Sequence, residues 1–275
     1  MNIITMRPGG ILGKYVYWFA CYDDFSASDL GFRMISEGTV DILIPLEGYA
    51  DITAGGSKKS AATVAEPLLI GPQQSYSIYD TSGCSRAFGI VFRTGGAARF
   101  LGPQIGEFTN AMLPAREVLG SQFRVLQEQL FEAPSADRMF ELAAAYLRRR
   151  IALDLTYAAE IEYAISAIQR GDIGNVSLVD FAENTIGFSH KHFVELFRRY
   201  TGFTPKRYQQ IIHFTRLLEH CRHYPRTTWR QLALMFGYFD PSHLTKDFHR
   251  FIGMTPGEYL EAGWSHRQVL NEAAI

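Results

Sequence analysis

Proton transfer and metal ligation near neutral pH fall first to histidine, and all eight histidines of this 275-residue chain lie at or beyond His190. The stretch before it offers no histidine base for a catalytic triad and no histidine ligand for zinc or iron. Acidic residues there, such as Asp41, Glu47 and Asp51, have no metal-ligand spacing. Cys21, Cys84 and Cys221 are far apart and form no C-x-x-C pair, which argues against a disulfide framework and a structural zinc site. Three buried thiols in a reducing cytosol are expected. No catalytic residue, metal or cofactor is assigned, and the chain is not read as an enzyme. An enzymatic reading is the weakest of the alternatives.

The remaining chemistry is charge. The formal net charge is −1, but it is unevenly placed. Residues 1–154 carry 14 Lys plus Arg against 16 Asp plus Glu, a balance of −2. Ser189–Arg250 carries 11 against 4, a balance of +7, and holds seven of the eight histidines. A basic back half on a near-neutral protein points to a polyanionic partner.

That basic stretch contains one pattern written twice. The first copy closes with Gly187-Phe188-Ser189, His192-Phe193, Phe197-Arg198-Arg199 and Gly202-Phe203-Thr204-Pro205. The second closes with Gly237-Tyr238-Phe239, His243-Leu244, Phe248-His249-Arg250 and Gly253-Met254-Thr255-Pro256. From Phe193 onward each matched position recurs 51 residues later, out to Tyr208 and Tyr259. Each copy reads as helix, glycine turn, helix, with Ser177, Ser189 and Thr227-Thr228 placed as N-caps and Pro205 in the first turn of a long joining helix. Phe193, Phe197 and Phe248 fall on inner faces. His192 and His243, directly before core positions, are expected to be semi-buried and structural. The second helix of such a unit fits the major groove, and two units on one rigid helix would reach successive grooves about 34 Å apart.

The positioning elements come before this region. Val40–Pro45, Tyr49–Thr53, Pro67–Pro72, Ser75–Tyr79 and Ser85–Phe92 read as short strands broken by Gly and Pro, with an exposed loop at Gly55–Lys59. Gly13–Cys21 reads as a strand or a short amphipathic helix leading into one. Together they suggest a compact antiparallel β domain, a barrel or a sandwich. Glu117–Glu132 and Asp137–Leu155 read as an amphipathic helical hairpin able to bury its stripe against a partner. Arg148-Arg149-Arg150 is expected to be a solvated helix face. At 275 residues, two domains are the better expectation. No apolar run is long enough to span a membrane and the first ten residues lack a secretory pattern, so a cytoplasmic protein is expected.

The two repeated units resemble the AraC-type family of bacterial transcriptional regulators, over Leu178 to Tyr208 and Leu232 to Tyr259. The resemblance implies a C-terminal double helix–turn–helix domain that binds promoter DNA. Base-facing positions fall at Lys191, Val194 and Glu195 in the first unit and at Ser242, Thr245 and Lys246 in the second. Arg198, Arg199, Lys206, Arg207, Arg226 and Arg250 are the expected phosphate contacts. The first unit departs from the family spacing: Ala182 to Gly187 is five residues where Ala233 to Gly237 keeps four. A bulge or looser turn must absorb the extra residue. Met6-Arg7-Pro8-Gly9, Val40–Ile44, and Val91–Ala97 with Phe100 look like the small barrel domain that precedes many such regulators.

The expected architecture is α+β with two domains: an N-terminal antiparallel β-barrel, cupin-like, with a helical hairpin, and a C-terminal all-α tandem helix–turn–helix domain. The divisions are 1–112 for sensing or dimerisation, 113–157 for the hairpin and linker, 158–265 for DNA binding (units 177–200 and 228–252), and 266–275 as a tail. Expected partners are double-stranded DNA, a small-molecule effector in the N-terminal domain, a second copy of the chain, and RNA polymerase for an activator. Tyr15, Tyr17, Trp18, Tyr76 and Tyr79 would either line an effector pocket or fill the core. The rival reading is a ligand-binding or protein-interaction protein that keeps these folds without specific DNA binding.

Overall fold

A computed structural model describes residues 2–23, 32–35, 37–55, 61–80, 82–152, 154–173, 176–261 and 269–271. Most of the expected Gly55–Lys59 loop and all but 269–271 of the 266–275 tail lie outside these residues.

The strands are β1 (Asn2–Met6), β2 (Val16–Asp23), β3 (Phe32–Ile35), β4 (Val40–Gly48), β5 (Ala50–Ala54), β6 (Ala61–Val64), β7 (Leu68–Ile70), β8 (Ser77–Asp80), β9 (Cys84–Phe92), β10 (Met112–Pro114) and β11 (Val269–Asn271). They form two sheets, ordered β1-β2-β9-β4-β7-β10 and β11-β3-β8-β5-β6. All pairs are antiparallel except β11 with β3.

The expected cupin-like barrel is not formed. Closure requires the end strands of a sheet to pair with each other. Here β1 and β10 end one sheet and β11 and β6 end the other, without a closing pair among the described residues. Alternation along β4 explains why the sequence pattern misled. Val40, Ile42 and Ile44 belong to the main core, shared with the helices, while Leu43 packs between the sheets with Ile52, Ile70 and Tyr79. In β9, Phe88, Ile90 and Phe92 take the helix side, and Ala87, Gly89 and Val91 line the cleft between the sheets. A period of two with both faces buried reads alike for a closed barrel and for an open sheet sandwiched between other layers.

Helices cover the outer face of the six-stranded sheet. After α1 (Ala98–Leu101) and α2 (Ala115–Leu119), α3 (Gln122–Glu132) and α4 (Ala136–Arg148) form the expected hairpin. Its stripe is spent on the sheet: the Phe140 ring lies 6.4 Å from Phe19 and 6.1 Å from Phe88, and the Cys21 thiol donates to Met139 Sδ at 3.4 Å. The helix expected to run to Leu155 stops at Arg148. The chain restarts through Tyr157, a non-glycine residue with φ +63°, into α5 (Ala158–Arg170). All three cysteines are free and buried.

Candidate nucleic-acid interface

Unit one begins at α6 (Leu178–Asp180), capped by the Ser177 hydroxyl, which accepts from the Asp180 amide at 3.0 Å. It continues without interruption as a π-helix, Phe181–Ile186. This π segment is how the extra residue before Gly187 is accommodated: the helix widens and takes in one more residue before the turn. Gly187 then takes φ +83°, a conformation costly for any residue with a Cβ. Next comes α7 (His190–Thr201), capped by Ser189.

Thr204 caps α8 (Pro205–His223), with Pro205 in its first turn. At 1.5 Å per residue its 19 residues span roughly 28 Å. Beyond the inner face read from the sequence, α8 also buries Phe214, Leu217 and Cys221, while Lys206, Gln210, His213, Arg216 and His223 remain exposed. Phe214 lies 5.2 Å from Phe248 and 4.7 Å from Phe251, fixing the second unit to the helix.

Unit two is α9 (Trp229–Met235), opened by a reciprocal capping box between Thr228 and Gln231, a glycine turn at Gly237 (φ +67°), and α10 (Pro241–Ile252). The Asp240 carboxylate caps α10, accepting from the His243 amide at 2.8 Å. A final helix, α11 (Pro256–Glu261), brings Tyr259 against Phe248, with ring centroids 5.6 Å apart.

Of the six positions expected to face bases, Lys191, Glu195, Ser242 and Lys246 are exposed. Val194 and Thr245 are half-buried, and the Thr245 hydroxyl donates to the Pro241 carbonyl at 2.9 Å within its own helix. Phe193, Phe197 and Phe248 are completely buried, as expected. His192 and His243, expected to be semi-buried, are both exposed. Each ring meets the turn aromatic of its own unit edge-on, Phe188 at 5.1 Å and Tyr238 at 5.9 Å.

Arg198, Arg199, Lys206, Arg226 and Arg250 are exposed. Arg207 is half-buried and differently engaged. Its guanidinium donates to the Gln74 carbonyl of the N-terminal region and lies 4.6 Å from the Phe251 ring centroid. Burial, followed by the neighbouring Arg250, lowers its pKa to about 10.

Further bonds tie the two regions together. Gln169 Nε2 donates to the Tyr208 hydroxyl at 2.8 Å, Tyr208 donates to Thr94 Oγ1 at 3.3 Å, and Thr94 donates to the Glu37 carbonyl at 3.0 Å. Thr109 Oγ1 donates to the Gly202 carbonyl at 3.1 Å, and Arg99 pairs with Glu162 at 2.6 Å. A cavity of about 350 Å³ opens at this junction, lined among others by Tyr15, Tyr17, Glu37, Arg93, Glu162 and Gln169. Glu37 Oε1 is sealed from water and has no hydrogen-bond partner. Burial, and then Glu219, push its carboxyl up to about 7, against the pull of Arg222. Between the sheets a smaller cavity of about 50 Å³ holds Asp41, also raised to about 7 by burial. The aromatics singled out in the sequence are therefore divided: Tyr15 and Tyr17 line the junction, Tyr79 lines the inter-sheet cleft, and Trp18 is core. The junction was not legible in the sequence, because Glu37, Thr94 and Gln169 carry no local pattern.

Residues 184–262 match the family described as a helix-turn-helix domain. The matched segment takes in the second helix of unit one, the joining helix α8 and the whole of unit two. Residues 4–114, spanning nearly all of β1 through β10, match a family described as a domain of unknown function (DUF6597). No curated protein sequence matches the chain. Solved structures of ToxT from Vibrio cholerae are similar at low identity. An apo variant from strain SCE256 shares 14 % identity and a TM-score of 0.46, covering 88 % of this chain and 96 % of that one. ToxT from strain O395 gives 13 %, 0.43, 88 % and 97 %. An unsaturated fatty acid-bound wild-type form from SCE256 gives 12 %, 0.42, 93 % and 97 %. These likenesses are too loose to carry an argument about this chain. Among the described residues no helix is long and apolar enough to cross a membrane, and no cluster of potential metal ligands occurs.

Proposed function

We propose that the chain is a cytoplasmic, sequence-specific DNA-binding transcription regulator, controlled by or dimerised through its N-terminal domain. The observation that carries this reading is the pair of capped second helices, α7 and α10. Each presents an exposed polar edge and both are fixed to one joining helix within the +7 stretch. Lys191, Val194, Glu195, Ser242, Thr245 and Lys246 face the bases; Arg198, Arg199, Lys206, Arg226 and Arg250 meet phosphates. Arg207 first serves the domain junction and reaches phosphate only if that contact opens. The junction cavity is where a small-molecule effector would bias the two regions against each other. An activating role would add RNA polymerase as a partner. No catalysis is involved.

The test is selection of genomic fragments with the purified full chain, followed by footprinting across a salt series. Two protected patches about one helical turn apart on one face are expected, with affinity falling steeply as salt rises. One patch alone would restrict reading to one unit. No enriched fragment would overturn the reading in favour of a fold that no longer binds specific DNA.

A further inference from the structure

Phe239 is 95 % exposed, more than any other large apolar side chain among the described residues. Such exposure is unusual for phenylalanine, and its backbone is held on both sides. Tyr238 before it donates its hydroxyl to Asp247 Oδ2 at 3.0 Å and meets the rings of His213 and His243. Asp240 after it caps α10.

Unit one has no counterpart. Gly187-Phe188-Ser189 passes directly from turn aromatic to cap, whereas Gly237-Tyr238-Phe239-Asp240 inserts one residue between them. The extra residue does not disturb the core. From Ala182 to Phe193 is 193 − 182 = 11 residues, and from Ala233 to Leu244 is 244 − 233 = 11, because unit one carries its additional residue upstream in the π-helix. Unit two thus meets the same internal geometry while placing an unpaired apolar side chain at the N-terminal edge of its reading helix. That end of such a helix meets base edges in the major groove. A phenyl ring offers no hydrogen bond, and the groove feature that it complements is the thymine C5-methyl group. Leu234 and Met235, also exposed, line an open groove with Tyr224 and Arg226 to which Phe239 does not contribute. Phe239 is therefore not part of that contiguous apolar surface.

We infer that Phe239 is a DNA-contact residue that reads a thymine methyl group at the edge of the site taken by unit two. The inference rests on the DNA-binding reading above. The test uses the full chain and a fragment enriched by selection, with each thymine of the second patch replaced in turn by deoxyuridine, which removes only the methyl group. Wild-type protein should lose about three- to tenfold affinity at one position. Phe239→Ala should bind the thymine fragment more weakly by a similar factor and show no further loss on deoxyuridine at that position. Phe239→Leu, still apolar, should fall between. Unchanged thermal unfolding of both variants is expected for so exposed a side chain and separates contact from folding. Additive losses from Phe239→Ala and deoxyuridine, or no methyl effect in wild type, would overturn the inference while leaving DNA binding intact. So would normal DNA binding by Phe239→Ala with reduced transcription by purified RNA polymerase, which would assign the side chain to a protein contact. A wild-type chain that enriches no fragment overturns both readings.

Discussion

The two helix–turn–helix units share a plan but differ in what surrounds them. Unit one is pressed against the N-terminal region. The C-terminal part of α7 packs on the 3-10 turn Ile105–Phe108, Thr109 bonds to Gly202, and Tyr200 donates to the Thr156 carbonyl. Unit two hangs mainly from α8 through Phe214, touching the N-terminal region where α10 approaches β3 and Arg207 meets Gln74. The outer edges of their second helices also differ. Across the 51-residue offset, Lys191 corresponds to Ser242, Val194 to Thr245 and Glu195 to Lys246. The inner interval of eleven residues is kept by both units, because it decides whether the second helix can pack at all. Outside that constraint, one unit has become an anchor for the N-terminal region, and the other has gathered a lysine and an exposed phenylalanine on its outer edge.

The largest effect that tests this division comes from the matched core pair Phe197 and Phe248. Both are completely buried, so truncation of either to alanine should cost about 3–5 kcal/mol. The consequences should differ in where they appear. Phe197 packs on Tyr208, which holds the bonded chain from Gln169 through Thr94 to the Glu37 backbone. Hydrogen exchange in Phe197→Ala should therefore rise across residues 93–109 as well as in unit one. In Phe248→Ala the increase should stay within 229–259 and the part of α8 around Phe214, where Phe248 meets Phe214, Trp229 and Tyr259. Equal loosening of 93–109 in both variants would break the anchor-and-reader division.

The junction should also respond to pH. Glu37 has an unfolded-state pKa near 4.5 and is raised to about 7 in the fold by burial and by Glu219. A carboxyl raised in this way holds its proton in the folded state while the unfolded state has already lost it. Stability therefore falls as pH rises from about 4.5 to about 7, and the penalty is complete above that. At 1.36 kcal/mol per pKa unit it reaches at most about 3 kcal/mol. Glu37→Gln should be the more stable protein at pH 8, and the difference should vanish below pH 5 in a series of thermal melts. A parallel displacement of the whole profile would show that Glu37 matters for packing and not for its charge. Asp41, raised to about 7 between the sheets, bends the wild-type curve in the same direction, so some slope should survive the Glu37 change.

The legibility of these features follows from how local they are. The caps at Ser177 and Ser189, the cap within Thr227-Thr228, the glycine turns and the buried Phe193, Phe197 and Phe248 are set by residues within a few positions of one another, and the sequence shows them. The extra residue before Gly187 was visible as a mismatch, but the π-helix that absorbs it and the balancing Phe239 are defined only by the two spacings taken together. The open sheets were misread as a barrel because burial on both faces of β4 and β9 does not say whether the second face meets a helix or a strand of the same sheet. Arg207 looked like its exposed neighbours Arg198 and Arg250. Its partners, Gln74 and Phe251, are remote in sequence, and nothing near it announces the half-buried position.

The smallest effects separate the outer edges themselves, at the matched pair Glu195 and Lys246. Both are exposed, one acidic and one basic, and on the proposed reading both would face the same polyanion. Lys246→Ala should weaken binding by about 1–2 kcal/mol and relax preference at one base pair, since a lysine in the groove favours guanine N7 and O6. Arg250→Ala provides the contrast: it should weaken all sequences alike and lower the salt slope by about 1. Glu195→Ala should act in the opposite sense to Lys246→Ala. Removing an exposed carboxylate from a surface held against phosphates should tighten binding to every fragment by roughly a few-fold, most visibly at low salt where screening is weak. If Glu195 instead accepts from a cytosine amino group, Glu195→Ala would lose affinity only on fragments carrying that cytosine. Titration of the three variants against a matched set of fragments at two salt concentrations distinguishes these outcomes. Uniform tightening by Glu195→Ala would mean that unit one holds position while unit two reads. A cytosine-dependent loss would mean that both units read, and that the difference between them lies in anchoring alone.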